Sequence, residues 1–466
     1  MKKVWLKVAL IFVLLFSVQE IFAQNGDSQF DCFTVLVGKN ATQDGSVLLA
    51  HNEDDGGVNL VDWYKVPRLT HKKGEFIQLK AGYKLPQVKE TSALLWLEMP
   101  GQQFSDSYMN EWGIVITSNS CPSREKEPEL VNGGIGYFLR RIMAERGKTA
   151  KSAIKVAGKI IEQVGYSGSG RTYSVADANE VWMLSVVRGK HWVARRIPDD
   201  EVAIMPNYYT IETVDLQDTL NYLGSQDLIQ YAIQKGWYDP ASGKKFNFRL
   251  AYASRGSLSH LANIARKWQA YNLLSGEAHP FYGYFPFSFK AAVKLTAQKL
   301  MAVLQNHYEG TELEMNPAYN AGNPHKSIIM RICSQTNQYG FVTQLRNWMP
   351  TDIGVVMWLA PRRPCTHPFT PWYCGITQVT QEFTRGDYEK ALQNHFNAPK
   401  TIFERSSSHG FWNFAHDAEN IDKSYGALIP TVRNKKQAME KRLFSKQETF
   451  EKKALATYKK NRKKAR

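Results

Sequence analysis

Apolar and polar positions along the chain fall into short strand-like blocks at both ends and helix-like spacings between them. Residues 32–37 read as a strand, Asp44-Gly45 as a tight turn, and residues 46–51 as the returning strand. Antiparallel pairing sets the end of the second strand beside the start of the first. The polar run His51-Asn52-Glu53-Asp54-Asp55-Gly56-Gly57 is thereby expected next to Cys32. Strands follow at 93–99 and 113–117, and apolar residues three and four apart predict helices over 135–146 and 150–164. A meander is expected next, with strands at 172–176, 181–187, 191–196 and 202–205. Helices are predicted around 227–234, 261–274 and 291–308, strands at 340–345 and 354–359, and a long polar helix from about Val432. Residues 315–325 read as a surface loop, and no internal repeat is visible. Strands grouped at the ends, without βαβ alternation, predict an α+β fold with antiparallel sheets.

The first residues change the picture of where the folded chain begins. Met1-Lys2-Lys3 is basic, residues 8–18 are apolar, and Ala23 offers a small residue at a cut site. That order is the pattern of a secretory signal peptide, and the apolar run is short for a membrane span; an uncleaved anchor is the alternative. Cleavage after Ala23 leaves residues 24–31 as a polar propeptide. The expected location is periplasmic or extracellular. Removal of the propeptide at the Asp31–Cys32 bond would give Cys32 both a thiol and a free α-amine. Those groups ordinarily titrate near ~8.5 and ~8, close enough to exchange a proton at neutral pH.

Hydrophobic residues make up 43% of the chain and charged residues 22%, which suits a globular protein with a sizeable core. The net charge of +16 is uneven, because residues 452–466 contain eight basic residues and no acidic one. This tail reads as a solvated, frayed helix end, with contact to an anionic envelope surface as the sharper alternative. No nucleic-acid-binding module accompanies it, so nucleic acid is not an expected partner. Homo-oligomerisation is left open. The expected organisation is 1–23 signal peptide, 24–31 propeptide, 32–430 catalytic domain and 431–466 basic tail. Of the five cysteines, Cys121, Cys333, Cys365 and Cys374 read as structural. Export would allow some of them to oxidise. Cys365-Thr366-His367 with Cys374 matches no common zinc spacing, so no metal is expected.

Four stretches carry a family resemblance. They are residues 32–54 (CFTVLVGKNATQDGSVLLAHNED), Asn110-Glu111-Trp112-Gly113 with Thr117-Ser118-Asn119, residues 172–207, and residues 339–372. In order and spacing they resemble the N-terminal-nucleophile (Ntn) cysteine dipeptidases, relatives of the secernins and more distantly of penicillin V acylase and bile salt hydrolase. The resemblance implies a four-layer αββα fold and hydrolysis of small peptides without a cofactor. It also implies processing at Asp31–Cys32, with self-cleavage the expected route. Cys32 is then the nucleophile that forms a thioester, and its α-amine is the base. Asp54 would orient the nucleophile. Asn119, with Ser120 as competitor, and Asn207 would donate to the oxyanion. Asn52 would touch substrate; Arg266 reads as a solvated helix arginine, with substrate or thiolate contact as the alternative. His51 stands where relatives commonly carry Arg. Either it supplies a pH-sensitive cation, or the pocket is organised differently. A metal held by His51, Glu53, Asp54 and Asp55 is disfavoured, because consecutive strand residues face opposite ways. Rival functions are an N-acyl amide hydrolase and a non-enzymatic envelope-binding protein.

Overall fold

A computed structural model describes residues 32–314, 322–327 and 329–461. The signal-peptide and propeptide expectations, and Asp31 with them, lie outside the described residues. Two sheets stack face to face. One is six-stranded; the strand Phe33–Val37 (β1) lies between Val202–Met205 and Val47–Asp54 (β2), and β2 is followed by Asn337–Leu345, Val355–Pro361 and Thr370–Tyr373. The other is eight-stranded and runs in space from Tyr222–Gly224 through Trp192–Arg196, Val181–Gly189, Tyr166–Ala176, Val115–Ser120, Ser107–Asn110 and Leu94–Glu98 to Asp62–Val66. Every pairing between these strands is antiparallel.

Alternation along the strands builds the layers. Leu36, Val47, Leu49, Met183 and Phe341 fill the space between the sheets. Val35, Leu48 and Ala50 point the other way, onto the helices Leu261–Ser275 and Ala297–Leu304. The outer face of the eight-stranded sheet is covered by the helices Phe138–Arg146 and Ala150–Val164. The result is the αββα sandwich.

β1 and β2 pair with Thr34 opposite His51 and Phe33 opposite Asn52, so the polar run does reach the head of β1. The connection is longer than a tight turn, with a 3-10 turn at Lys39–Ala41. Asp44-Gly45 serves at its end, where Asp44 Oδ1 accepts from Ser46 N at 3.1 Å and Gly45 takes φ +81°.

β2 continues three residues past the predicted His51, to Asp54, because the polar side chains of that segment are buried and bonded on both faces. The predicted helix over 291–308 contracts to Ala297–Leu304, capped by the Thr296 side chain on Lys299 N. The strand Asp62–Val66, the edge strand Thr370–Tyr373 and the helix Gly410–Lys423 were not predicted. Of the expected loop, residues 315–321 lie outside the description, while His325 sits buried in a 3-10 turn, Pro324–Lys326.

The boundary at 430 falls inside one helix, Tyr425–Lys460. That helix stays regular as far as Lys460, and its course before the basic run at 452 is anchored. Phe444 stacks on Trp358 with ring centroids 3.9 Å apart. Arg346 donates to both oxygens of Glu451 at 2.8 and 2.6 Å, with both side chains buried. These contacts strap it along the six-stranded sheet.

Candidate active site

The site forms where β1 begins and β2 ends, in the layer between the sheets. Cys32 is 1% exposed. By alternation Cys32 and Thr34 share the inner face of β1, and His51 and Glu53 share the inner face of β2. The Cys32 thiol donates to Glu53 Oε1 at 3.0 Å. Its longer contact, 3.7 Å, is to the Asp54 carbonyl. His51 lies between Thr34 Oγ1 at 2.8 Å and Glu53 Oε2 at 3.1 Å. Thr34 Oγ1 donates to Asn119 Oδ1 at 2.7 Å, and Asn119 Nδ2 donates to the Cys32 carbonyl at 2.8 Å.

Counting protons around this loop assigns its state. Thr34 has one hydroxyl hydrogen, and it goes to Asn119. His51 must therefore donate from Nδ1, which leaves Nε2 as an acceptor facing Glu53. A proton must lie between Nε2 and the carboxyl group. Burial foremost, then Arg140 and Arg171, holds the His51 imidazole well below its usual range. Burial pushes Glu53 well up, against the pull of Arg140. Glu53 thus carries the proton and donates to a neutral His51. Burial, and next the Glu53 carboxyl, also raises the Cys32 thiol. The resting loop is a closed, uncharged ring running from the side chain of Cys32 back to its own carbonyl.

The second wall comes from the helix Leu261–Ser275. Arg266 is fully buried, which removes the solvated reading. Its Nη1 donates to the Cys32 carbonyl at 3.4 Å, and Nη2 donates to Asn207 Oδ1 at 3.0 Å and Asn263 Oδ1 at 2.8 Å. Arg266 and Asn207 are therefore part of the site. Asn119 is there too, with its amide hydrogens directed at backbone carbonyls of Cys32 and Met205. Ser120 lies on the same strand beyond these contacts, paired with Arg171.

Asp54 turns to the opposite side of β2. Its carboxylate accepts from Ser334 Oγ, from Thr336 Oγ1 at 3.0 Å and from Asn337 Nδ2 at 2.8 Å. Asn52 corrects the expectation of a substrate contact. Its amide donates to the Leu304 and Ile332 carbonyls at 2.9 and 2.8 Å, on the helix side of the sheet, because it sits out of phase with His51 and Glu53. The four-residue metal reading likewise comes apart. Asp54 serves the turn after Cys333, and Asp55 accepts from Ser105 at 2.7 Å. Ligand atoms of Cys32, His51 and Glu53 do lie within 4.8 Å of one another, but hydrogen bonds already account for that spacing.

Sequence reading missed Thr34, Tyr339, Arg140, Arg171 and Asn263, and gave Glu53 no role in acid–base chemistry. Thr34 and Glu53 could have been found from strand parity with Cys32 and His51. Tyr339 donates to Ser105 O at 2.7 Å and lies 3.4 Å from Glu53 Oε2, and only the pairing of its strand with β2 brings it there. His51 is not a cation here. The positive charge comes instead from Arg266 at Cys32, and from Arg140 and Arg171 behind His51, so the pocket is organised differently from one built on an Arg at position 51.

A cysteine at the head of a central strand, set between the sheets of an αββα sandwich, is the arrangement of the Ntn-hydrolase fold. Comparison with known proteins narrows the class: Peptidase family C69 matches residues 31–424. The chain belongs to that family, and it is a cysteine-type peptidase. A probable dipeptidase of Latilactobacillus sakei is 26% identical over 378 residues, 78% of this chain and 78% of that protein. A dipeptidase of Bifidobacterium longum is 25% identical over 442 residues, 85% of this chain and 81% of that protein. Dipeptidase A of Lactobacillus helveticus is 27% identical over 375 residues, 76% of this chain and 77% of that protein. Among solved structures, a variant of the conjugated bile acid hydrolase from Clostridium perfringens aligns with a TM-score of 0.34 and 9% identity, covering 76% of this chain and 98% of that one.

Proposed function

We propose that this cysteine-type dipeptidase is exported, loses residues 1–31 in two cuts, and then hydrolyses dipeptides with Cys32 as its N-terminal nucleophile. The observation that carries the reading is the treatment of Cys32: its thiol enters a buried polar ring while Asn119 and Arg266 hold its carbonyl. A neutral ring leaves the thiol protonated, and neither Glu53, already protonated, nor His51, whose Nε2 faces Glu53, is placed to deprotonate it. The α-amine freed at Cys32 fills that role. It takes the thiol proton as sulfur attacks the scissile carbonyl, and passes the proton to the departing amine. The tetrahedral oxyanion is met by Arg266 and by the Asn207 amide that Arg266 orients. A donor of this kind is ordinarily worth about 3 kcal/mol. Water then hydrolyses the thioester. Propeptide removal precedes that amine and runs as an N-to-S acyl shift: Cys32 Sγ attacks the Asp31 carbonyl, the peptide bond breaks as the thiol proton passes to the Cys32 nitrogen, and water hydrolyses the resulting thioester to release residues 24–31.

The test is the intact mass and amino-terminal residue of the protein expressed without residues 1–23, beside a Cys32→Ala variant. The reading expects a wild-type chain starting at Cys32, a variant that keeps residues 24–31, and dipeptide hydrolysis by the wild type alone. Equal trimming of both chains would remove the self-cleavage step. Activity in the Cys32→Ala variant would remove the nucleophile. A panel of dipeptides beside N-acyl amino acids reports whether a free substrate amine is required.

A further inference from the structure

Away from the Cys32 ring, four soft ligands converge. We propose that His307, His325, Cys333 and Cys365 form a closed tetrahedral site for one zinc ion. Their ligand atoms all lie within 4.8 Å of one another, and all four residues are buried. His307 Nε2 is 3.1 Å from His325 Nε2, and Cys365 Sγ is 3.4 Å from His325 Nε2. A zinc tetrahedron with bonds of ~2.05 Å to nitrogen and ~2.3 Å to sulfur has edges of roughly 3.3 Å for N–N and 3.6 Å for N–S. These two separations are close to the N–N and N–S edges, drawn in slightly, and the other pairs lie within 4.8 Å.

The outer contacts point the same way. His307 Nδ1 faces Glu309 Oε1 at 3.2 Å, and His325 Nδ1 faces Asp422 Oδ1 at 2.9 Å. A carboxylate on Nδ1 fixes the hydrogen there and aims the Nε2 lone pair inward, as in carboxylate–histidine–zinc arrangements. Two such lone pairs 3.1 Å apart repel unless a cation or a proton lies between them. Tyr425 and Ile429, from the helix Tyr425–Lys460, cover the cluster with apolar surface. Binding takes in Zn²⁺ and releases to solvent the two thiol protons together with any proton shared by the two imidazoles, so two thiolates neutralise the ion inside a buried pocket. With four protein ligands no position stays open for substrate, and the role is structural.

The location gives that role an object. Cys333 lies between Ile332, whose carbonyl accepts from Asn52, and Ser334, whose hydroxyl donates to Asp54. Zinc would pin the segment that buttresses the far side of β2. The pattern was invisible in the sequence because the ligands are spread over residues 307–365 in four separate segments, and because His367, not His325, is the histidine near Cys365 in the chain.

The full-length chain and its Cys32→Ala variant, purified under reducing conditions, are measured for bound metal. The variant excludes any ion held by Cys32, His51 and Glu53. About one zinc per chain is expected in both, a stoichiometry set by a single four-ligand site. Growth in cobalt-supplemented medium is expected to give thiolate-to-cobalt charge-transfer bands and the intense d–d bands of a tetrahedral ion. Cys365→Ser and His307→Gln are expected to lose the metal. The proposal is overturned if the folded Cys32→Ala chain, refolded with excess zinc and desalted, carries none. A Cys333–Cys365 disulfide in the same protein purified without reductant would equally overturn it. Since these readouts use chains with all four ligands intact, a ligand variant that fails to fold leaves the decision unchanged.

Discussion

Glu53→Gln tests the neutral ring. Glu53 makes three contacts: from the Cys32 thiol at 3.0 Å, with His51 Nε2 at 3.1 Å, and the long one from Tyr339 at 3.4 Å. A protonated carboxyl accepts with one oxygen and donates with the other, and a glutamine amide does the same. Its Oε1 would still accept from Cys32, and its Nε2 would donate to His51. Only the Tyr339 contact is lost, and that hydroxyl keeps Ser105 O at 2.7 Å. The substitution is therefore expected to cost under about 1 kcal/mol in urea unfolding of the full chain. Glu53→Ala instead orphans two buried groups at about 1–3 kcal/mol each and leaves a cavity, for an expected loss of about 3–5 kcal/mol. The pH dependence adds a sign. Folding raises Glu53 above its ordinary 4.5, so the folded chain binds the proton more tightly than the unfolded one. That contribution is complete below pH 4.5 and is lost as pH climbs toward the folded value, so Glu53→Gln gains on the wild type as pH rises. An ionised Glu53 would give the reverse: a loss of about 3–5 kcal/mol in Glu53→Gln from breaking a buried ion pair, growing with pH. That result would refute the proton assignment.

Three further outcomes are expected. Asn52→Ala should lower stability by about 2 kcal/mol through two orphaned carbonyls while KM for dipeptides stays within about twofold, since Asn52 serves the helix side of the sheet; a large rise in KM at unchanged stability would restore it as a substrate contact. Arg266→Met should cut kcat by about 10²-fold or more with little change in KM, measured on chain already shown by mass to begin at Cys32; an unchanged kcat would remove Arg266 from oxyanion stabilisation. Lys267, buried and brought down to about 7 foremost by burial, takes its proton later than the unfolded chain does as pH falls. Wild-type stability should therefore drop between pH 10.5 and about 7, and Lys267→Met should be the more stable chain by a few kcal/mol at pH 7, with the gain gone above pH 10.5; parallel stability–pH curves would contradict it.

Much of the fold was legible because short-range pattern decides it. The helix Ala150–Val164 and the strand Val202–Met205 appear within the predicted bounds, since nothing distant competes with their periodicity. The hairpin pairing carried Cys32 to the polar run from sequence alone. What failed depended on partners far along the chain. β2 outlasts its apolar run because Asn337–Leu345 pairs with it as far as Asp54. The helix Tyr425–Lys460 starts before the predicted Val432, and composition could not show that Arg346 and Trp358 hold it from the sheet. In the site, residue types were easier to read than directions. Asn52 and Glu53 are adjacent, and only the pleat separates a buttress from a proton carrier. Arg266 looked like any helix arginine until its depth placed it on Cys32.

β2 gives its odd-numbered polar residues to one layer and its even-numbered ones to the other, and this has a consequence for how the protein can change. Substitutions on the helix-facing side, at Asn52, Asp54, Ser334 or Thr336, alter the mounting without touching the proton ring, so the two surfaces of one strand can drift separately. Length is another matter. A single-residue deletion inside Val47–Asp54 would trade the two sets between layers, delivering an amide and a carboxylate to the thiol and burying an imidazole against aliphatic helix side chains. Relatives that vary freely in side chain along this strand should therefore keep its residue count fixed, with insertions confined to the loop of residues 38–46 that feeds it.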